Sequence, residues 1–257
     1  RTMPVAEISS LDHVAELLSE DKVANAYALG YLDPKYGDVS RWVGERDDQG
    51  ALRSVVLLYR GLSRPALFTA GRREGIRPIL RETRDLPDQC VGHVAVDHRD
   101  GVSAVYEASG LHRASRMSLQ RDDLLHPPTP SCHVEVLSHR DTAQILQLYA
   151  HWPDSFFEPY QLESGLYFGV RDEDGRIASI AGVHNLSPTF DVAAIGNLVT
   201  HPDRRGRGYA AACTAALLSQ VFEHVALVTL DVEVDNEPAV RTYSRFGFQK
   251  SGDFFEG

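Results

Sequence analysis

Hydrophobic residues recur along the chain with two different spacings, one typical of helices and one typical of strands, and so predict a mixture of both. Apolar residues three and four positions apart predict a helix at 12–18, which Ser9 or Ser10 can cap. Short apolar or alternating runs bounded by turn residues predict strands. Two of these, 41–46 and 52–60, form a predicted hairpin whose turn ends at Gly50, which can adopt positive φ. The mixture predicts the α/β class.

The same two patterns place the remaining elements. The predicted strands lie at 5–8, 66–69, 91–96, 111–119, 134–137, 165–170, 176–184, 192–200, 225–233 and 248–255. The predicted helices lie at 22–31, 73–83, 97–109, 138–150, 208–221 and 238–246.

The second half of the chain repeats the first. Three segments match in the same order: residues 42–50 with 167–175, Ser9 and Asp12 with Ser138 and Asp141, and Tyr106 and Gly110 with Tyr243 and Gly247. Three ordered matches predict an internal duplication. Between the copies, three prolines within 127–130 make a stiff connector. We therefore predict domains at 1–122 and 133–257 joined by a proline-rich linker at 123–132.

The stretch after the predicted strand 192–200 has the composition of an anion cradle. Gly206 and Gly208 allow backbone conformations and a close approach that a Cβ would block, and an Ala- and Leu-rich helix follows them. Backbone N–H groups can therefore converge on phosphate oxygens at the positive end of that helix. The matching segment of the first half, 70–75, lacks paired glycines that open a helix. We predict one working half and one degenerate half.

Three phosphate-binding motifs compete for this cradle. The P-loop needs Gly-Lys followed by Ser or Thr, whereas Arg207 and Tyr209 follow the two glycines here. Residues 206–211 match the dinucleotide fingerprint GxGxxA, with Asp231 at the next strand end. That fingerprint normally follows its strand directly, and too few residues follow Asp231 to complete a dinucleotide fold. The third motif, (Arg/Gln)-x-x-Gly-x-(Gly/Ala), matches residues 205–210.

This third motif resembles the acetyl-CoA pyrophosphate loop of the Gcn5-related N-acetyltransferase (GNAT) superfamily. Residues 236–248 resemble the second signature of that superfamily, Asn-x-x-Ala-(x)3-Tyr-(x)3-Gly-Phe, and the resemblance covers about 133–257. It implies tandem GNAT-like domains, each a mostly antiparallel, splayed mixed sheet flanked by helices. The degenerate copy would precede the working one.

The resemblance also implies how acetyl-CoA is held. Its pantetheine arm would pair like an added strand with the backbone of the predicted strand 192–200, and its pyrophosphate would lie against the backbone amides of the cradle. Asn236 is either a cofactor ligand or a helix cap before Pro238. The implied cofactor-binding residues are Leu198, Val199, Thr200, Arg205, Gly206, Arg207, Gly208, Tyr209, Ala210 and Asn236.

Acyl transfer to an amine needs a proton donor and a proton acceptor. Tyr243 would protonate the departing thiolate, although a tyrosine retained as Tyr106 in the first copy leaves a packing role open. Asp231 occupies the position of Glu in the Leu-Glu-Val motif of some ribosomal-protein acetyltransferases, and Glu233 shares its face of the strand. The base is open between these two carboxylates and two histidines, His184 and His201.

Composition narrows the class of protein. The net charge of −10 argues against a nucleic-acid surface and modestly favours a cationic acceptor. Three cysteines without paired spacing predict reduced thiols in a cytoplasmic protein, and Cys213 inside the cradle helix is predicted to be packed, which disfavours a cysteine acyl-enzyme. No histidine spacing predicts a metal site, and no apolar run reaches the length of a membrane span.

Together these observations predict an acyl-CoA-dependent N-acyltransferase that moves acetyl from acetyl-CoA to a primary amine by direct attack in a ternary complex. A non-catalytic CoA-binding sensor or scaffold and an NAD-binding oxidoreductase are the alternatives. The predicted acceptor is a small molecule or a peptide amine, and we expect no nucleic-acid or membrane partner and a monomer or homodimer. Trp152, Phe156, Phe157 and Tyr160 either line the acceptor pocket or form a packed aromatic cluster.

Overall fold

The chain folds into two compact units. The computed structural model describes residues 4–153 and 155–257. Unit 1 comprises the residues up to Arg116 together with Val232–Asp235 and Ser251–Gly257, and unit 2 comprises Met117–Asp231 and Asn236–Lys250. None of the helices in these described ranges is long and apolar enough to cross a membrane.

Strands and helices alternate along the chain as an α/β protein requires. The strands are β1 Val5–Glu7, β2 Ser40–Arg46, β3 Leu52–Tyr59, β4 Ala66–Gly71, β5 Val91–Ala95, β6 His112–Gln120, β7 Val134–Val136, β8 Tyr167–Arg171, β9 Ile177–Ser187, β10 Val192–Thr200, β11 Leu227–Glu233 and β12 Gln249–Glu256. The helices are α1 Leu11–Ser19, α2 Ala26–Gly30, α3 Arg73–Glu82, α4 Arg99–Ser103, α5 Thr142–Tyr149, α6 Tyr209–Val221 and α7 Glu237–Ser244.

Unit 1 contains a mixed sheet in the order β1-β2-β3-β4-β5-β12. The first four strands pair antiparallel, β4 and β5 run parallel, and β12 is antiparallel to β5. Helix α3 covers the sheet with Ile76, Ile79 and Leu80, which pack with strand residues in one buried cluster. Removing these side chains from water stabilises the unit by about 1.5–3 kcal/mol each.

Unit 2 repeats this arrangement in the order β7-β8-β9-β10-β11-β6. Four strands again pair antiparallel and the next pair, β10 and β11, is again parallel. Helix α5 buries Ile145 and Leu148 in a cluster that also contains Tyr167 and Ile180. The predicted fold class, a mostly antiparallel mixed sheet flanked by helices, is confirmed.

The sixth strand of each sheet comes from the opposite half of the sequence. In unit 1 the strand beside β5 is β12, and in unit 2 the strand beside β11 is β6. The compact units therefore differ from the predicted domain limits, 1–122 and 133–257. A hydrophobic pattern shows that a segment is a strand but does not show which strand lies beside it.

The two hairpin turns are built alike. Gly50 adopts a φ of 82°, as predicted, and Gly175 adopts a φ of 73° in the second turn. In each turn an aspartate side chain accepts two backbone N–H groups: Asp47 from residues 49 and 51, and Asp172 from residues 174 and 176, at 2.9–3.0 Å. An Asx turn of this kind fixes the chain reversal locally. This likeness supports the predicted duplication.

Three local predictions were wrong in extent or detail. The helix expected at 97–109 ends at Ser103, and the helix expected at 22–31 is only Ala26–Gly30. Ahead of the latter, Asp21 accepts a hydrogen bond from the backbone of Ala24 and holds the chain in turns. Ser10 lies at the N-cap of α1 but makes no capping hydrogen bond, whereas Ser138 and Asp141 form a complete capping box in the second half.

Candidate functional site

Strand β10 separates from β11 at its carboxyl-terminal end. The parallel ladder pairs residues 192–194 only with 227–229, although β10 continues to Thr200. Leu198, Val199 and Thr200, predicted to pair with pantetheine, lie on this half-buried continuation. A strand edge beyond the end of its ladder can offer backbone N–H and C=O groups to an extended ligand. The splay expected of a GNAT-like sheet is therefore present.

A β-bulge sets the direction of this edge. Gly196 pairs with Gly182 and Val199 with Ile180, so β10 carries one more residue than β9 in the interval. Asn197 lies within the bulge with φ of 53°, a left-handed conformation that asparagine adopts more readily than most residues.

Buried side chains hold Asn197 in this conformation. Its amide nitrogen donates to the Tyr167 hydroxyl at 2.8 Å and to Oε1 of Gln161 at 3.1 Å. The Tyr149 hydroxyl donates to the Asn197 carbonyl at 2.5 Å. The sequence predictions missed this network. Its only sequence signal was an asparagine inside an apolar strand.

The glycines of the predicted cradle adopt the conformations that the motif requires. Gly206 and Gly208 have φ values of 76° and 77°, and Gly208 is the N-cap of α6. A Cβ added at Gly206 would meet no atom within 4 Å, whereas one at Gly208 would lie 2.9 Å from Pro130. The backbone at Gly206 is therefore open to a ligand at the positive end of a 13-residue helix.

Two of the arginines near the cradle pair with the turn between β8 and β9. Nη1 of Arg207 lies 3.1 Å from Oε1 of Glu173, and Nε of Arg204 lies 3.1 Å from Oδ2 of Asp172. The guanidinium of Arg205 instead lies over the Trp152 ring, 5.8 Å from its centroid. The Arg207 pair is exposed to solvent and therefore weak, so a pyrophosphate can compete for that cation.

Helix α7 carries the predicted donor and the predicted cap. Asn236 caps the helix, since its Oδ1 accepts from the backbone of Ala239 at 3.3 Å. The Tyr243 ring is buried and meets Phe248 edge to face at 6.0 Å. Burial alone raises the pKa of Tyr243 above that of an ordinary phenol, so the hydroxyl stays protonated at neutral pH.

The equivalent tyrosine of the first half is tied to the backbone. The Tyr106 hydroxyl donates to the Pro87 carbonyl at 2.9 Å. Within residues 4–153 and 155–257, Tyr243 has no such hydrogen-bond partner for its hydroxyl. The packing role that Tyr106 has therefore does not account for the hydroxyl of Tyr243.

The candidate bases fall in different places. Asp231 is half-buried at the end of the first segment of unit 2. Glu233 belongs to unit 1, has 69% of its side chain exposed and lies 3.8 Å from His112. The His184 imidazole covers Gly196, since a Cβ there would lie 2.0 Å from its Nε2. His201 accepts a hydrogen bond from the backbone of Asp203 at 3.2 Å.

Other side chains of unit 2 have packing roles. Phe157 is buried and stacks on Tyr149 with centroids 5.0 Å apart, so this member of the aromatic group belongs to the core. Cys213 is fully buried, as predicted, and burial raises the pKa of its thiol to about 12. A thiol in that environment is not a nucleophile at neutral pH.

In the first half, a side chain fills the slot between the two parallel strands, β4 and β5, that corresponds to the splay between β10 and β11. The parallel pairing of β4 with β5 covers 66–68 and 91–93. Beyond it, the buried imidazole of His98 lies 2.9 Å from Oγ1 of Thr69 and 3.0 Å from the Gly71 carbonyl. Helix α3 starts at Arg73, directly after this strand, so there is no loop of paired glycines. These features support the predicted degeneracy of the first half.

Comparisons with known proteins agree with this geometry. Residues 135–248 match the family model described as acetyltransferase (GNAT) family. Similar solved structures include a Drosophila protein at 15% identity and TM-score 0.73, covering 99% of this chain and 98% of that one. A GCN5-related N-acetyltransferase from Sphaerobacter thermophilus matches at 15% identity and TM-score 0.63, covering 99% and 96%. A tandem GNAT protein from the clavulanic acid biosynthesis pathway matches at 14% identity and TM-score 0.57, covering 99% and 97%.

At these identities the structural likeness shows the fold alone. No curated protein sequence matches the chain significantly. The family model covers the cradle, the splayed strand and both signature segments. The match to the GNAT acetyltransferase family therefore rests on residues 135–248.

Proposed function

We propose that the protein transfers acetyl from acetyl-CoA to the nitrogen of a primary amine, by direct attack in a ternary complex and in the cytoplasm. The observation that carries the proposal is the combination, in unit 2, of an open strand edge on β10 and an open glycine cradle at the start of α6. Together they provide hydrogen bonds for an extended arm and for a pyrophosphate, the two parts of CoA that need backbone partners.

The residues present fit acetyl-CoA as cosubstrate. Backbone amides of Gly206 to Ala210 would hold the pyrophosphate, and Leu198, Val199 and Thr200 would pair with pantetheine. The left-handed glycines and the absence of any atom within 4 Å of a Cβ at Gly206 support this assignment. Arg207 would exchange Glu173 for phosphate, because a doubly charged diphosphate is the stronger partner.

The chemistry forms one C–N bond and breaks one C–S bond. The neutral amine attacks the thioester carbonyl, and the tetrahedral intermediate collapses with loss of the CoA thiolate. Tyr243 would give its proton to that sulfur, for which a protonated hydroxyl on a buried ring is suited. The amine proton leaves to a base. Of the two carboxylates, Asp231 is our candidate because it lies in the same unit as the cradle, whereas Glu233 does not.

Release of free thiol from acetyl-CoA in the presence of amines, amino acids and peptides tests the proposal. Turnover with at least one amine is expected. Tight CoA binding without thiol release toward any acceptor would instead favour a sensor, and NAD binding in place of CoA would refute the assignment.

Two substitutions test the roles of the proposed donor and base. Tyr243→Phe should lower kcat by 10²–10⁴-fold with little change in KM for acetyl-CoA, the usual contribution of a positioned acid. If Asp231→Asn leaves the pH dependence of turnover unchanged, Asp231 is not the base, and His184 becomes the next candidate.

A further inference from the structure

Unit 1 contains a cavity of about 440 Å³ that the proposed transfer does not use. All of its lining residues belong to unit 1, and they include His98 together with the residues of β4 and β5 next to the gap that His98 fills. The volume lies within the range of small-molecule sites, which are mostly apolar with a few placed polar groups. The cavity is therefore large enough for a ligand of its own.

Flat, uncharged rings make up much of the cavity wall. The His93 ring lies parallel to Phe68 at 4.5 Å and within 6°. Tyr27 and Phe254 stack on His93 at 5.7 and 6.1 Å. Burial, together with the nearby charge of Arg116, lowers the pKa of His93 to about 3, so this ring is neutral at physiological pH. Such a wall suits an apolar, preferably planar, side chain.

A guanidinium and a carboxylate beside this wall are both hydrogen-bonded to the backbone of one residue, Ala24. The buried guanidinium of Arg116 donates to the carbonyl of Ala24 and lies over the rings of Tyr27 and Phe254, 5.0 and 4.8 Å from their centroids. The exposed carboxylate of Asp21 accepts from the backbone N–H of the same Ala24 at 2.9 Å. Both groups line the cavity.

We propose that this cavity binds a free α-amino acid with an apolar or aromatic side chain. Such a zwitterion carries a carboxylate and an ammonium on one carbon, which matches a guanidinium and a carboxylate held on one residue. Its side chain would lie against His93 and Phe68. Because His98 occupies the strand gap that pantetheine would need, the amino acid is bound here without being acetylated.

Titration calorimetry on the full chain with three related probes tests the chemistry of the ligand. L-Phenylalanine carries both charges, 3-phenylpropionate only the carboxylate, and 2-phenylethylamine only the ammonium. We expect phenylalanine to bind at least tenfold more tightly than either analogue. Equal affinity for an analogue would overturn the proposal. So would the absence of phenylalanine binding at millimolar concentration of the amino acid and in about tenfold excess over the protein.

Paired glycine substitutions test the location. Gly252 lines the cavity and a Cβ there meets no atom within 4 Å, so Gly252→Leu should take up space beside the ligand without backbone strain. Gly37 is equally open and lies outside the cavity, which makes Gly37→Leu the matched control. We expect at least a tenfold loss of phenylalanine affinity for the first variant and none for the second. Unchanged affinity in Gly252→Leu would place the binding elsewhere and refute the site.

A charge substitution tests the ammonium contact. Asp21→Asn keeps an oxygen that can cap Ala24 but removes the charge, and Asp48→Asn changes an exposed aspartate outside the cavity. Asp21→Asn should weaken phenylalanine severalfold and leave 3-phenylpropionate unchanged. Equal weakening of both ligands would refute the role of Asp21. These measurements need no acetyl-CoA, so their failure is distinguishable from failure of the proposed transfer.

Discussion

Replacing Gly206 by alanine separates the conformational role of the cradle from its binding role. At φ of 76° an alanine Cβ approaches its own backbone, which costs about 1–2 kcal/mol relative to glycine. No neighbouring atom lies within 4 Å of that Cβ, so packing adds nothing further. Gly206→Ala should therefore lower the free energy of unfolding by about 1–2 kcal/mol and leave the fold intact.

The effect on acetyl-CoA should exceed this strain. If the cradle holds the pyrophosphate as proposed, the new methyl group occupies the space through which phosphate oxygens would reach the backbone amides. Losing one hydrogen bond to a charged group costs about 1.5–3 kcal/mol, which corresponds to roughly a 10- to 150-fold rise in the dissociation constant. Equilibrium binding of acetyl-CoA, measured by calorimetry beside urea unfolding, gives both quantities for the same variant.

Gly50 provides the control for strain alone. It has φ of 82° and equally open surroundings, but it lies in the turn between β2 and β3. Gly50→Ala should lose similar stability and bind acetyl-CoA like the wild type. If the two variants bind acetyl-CoA equally well, the cradle does not hold the pyrophosphate.

Four further substitutions test other parts of the molecule. Cys213→Ala should leave kcat within about twofold and cost about 1–2 kcal/mol of stability through a small cavity, and loss of turnover in a folded variant would contradict direct attack. Burial raises the pKa of the Glu45 carboxyl, so the wild type loses stability as pH rises from the unfolded pKa through the folded one. Glu45→Gln should therefore gain stability over the wild type across that interval in urea unfolding, and a difference that does not change with pH would contradict the assignment. Asn197→Ala should cost about 3 kcal/mol by combining left-handed strain with lost buried hydrogen bonds, whereas Asn236→Ala, at an exposed cap, should cost about 1 kcal/mol.

The features predicted correctly from the sequence are those that one or two residues determine. Gly50 specifies positive φ in its hairpin turn, and Gly206 and Gly208 specify the start of α6. Each is decided by local backbone sterics and turn chemistry. The fold class followed because each half presents the same order of short apolar segments.

The features that were missed depend on residues far apart in sequence. Asn197 needs Tyr167 and Gln161, which lie 30 and 36 residues away, to stabilise its left-handed backbone. His98 closes the first slot through Gly71, 27 residues away. No local pattern of polar and apolar positions encodes such partners, so neither the bulge nor the plugged slot was predictable.

The position of β12 in unit 1 affects how the protein folds during synthesis. The sheet of unit 1 lacks the strand beside β5 until residues 249–256 have emerged from the ribosome. Until then, β5 presents an unpaired edge, which is a template for association with other strands. We expect nascent chains that stop before residue 249 to recruit chaperones or aggregate even though every other strand of that sheet has been made. Separate expression of residues 1–122 would leave the same edge exposed permanently.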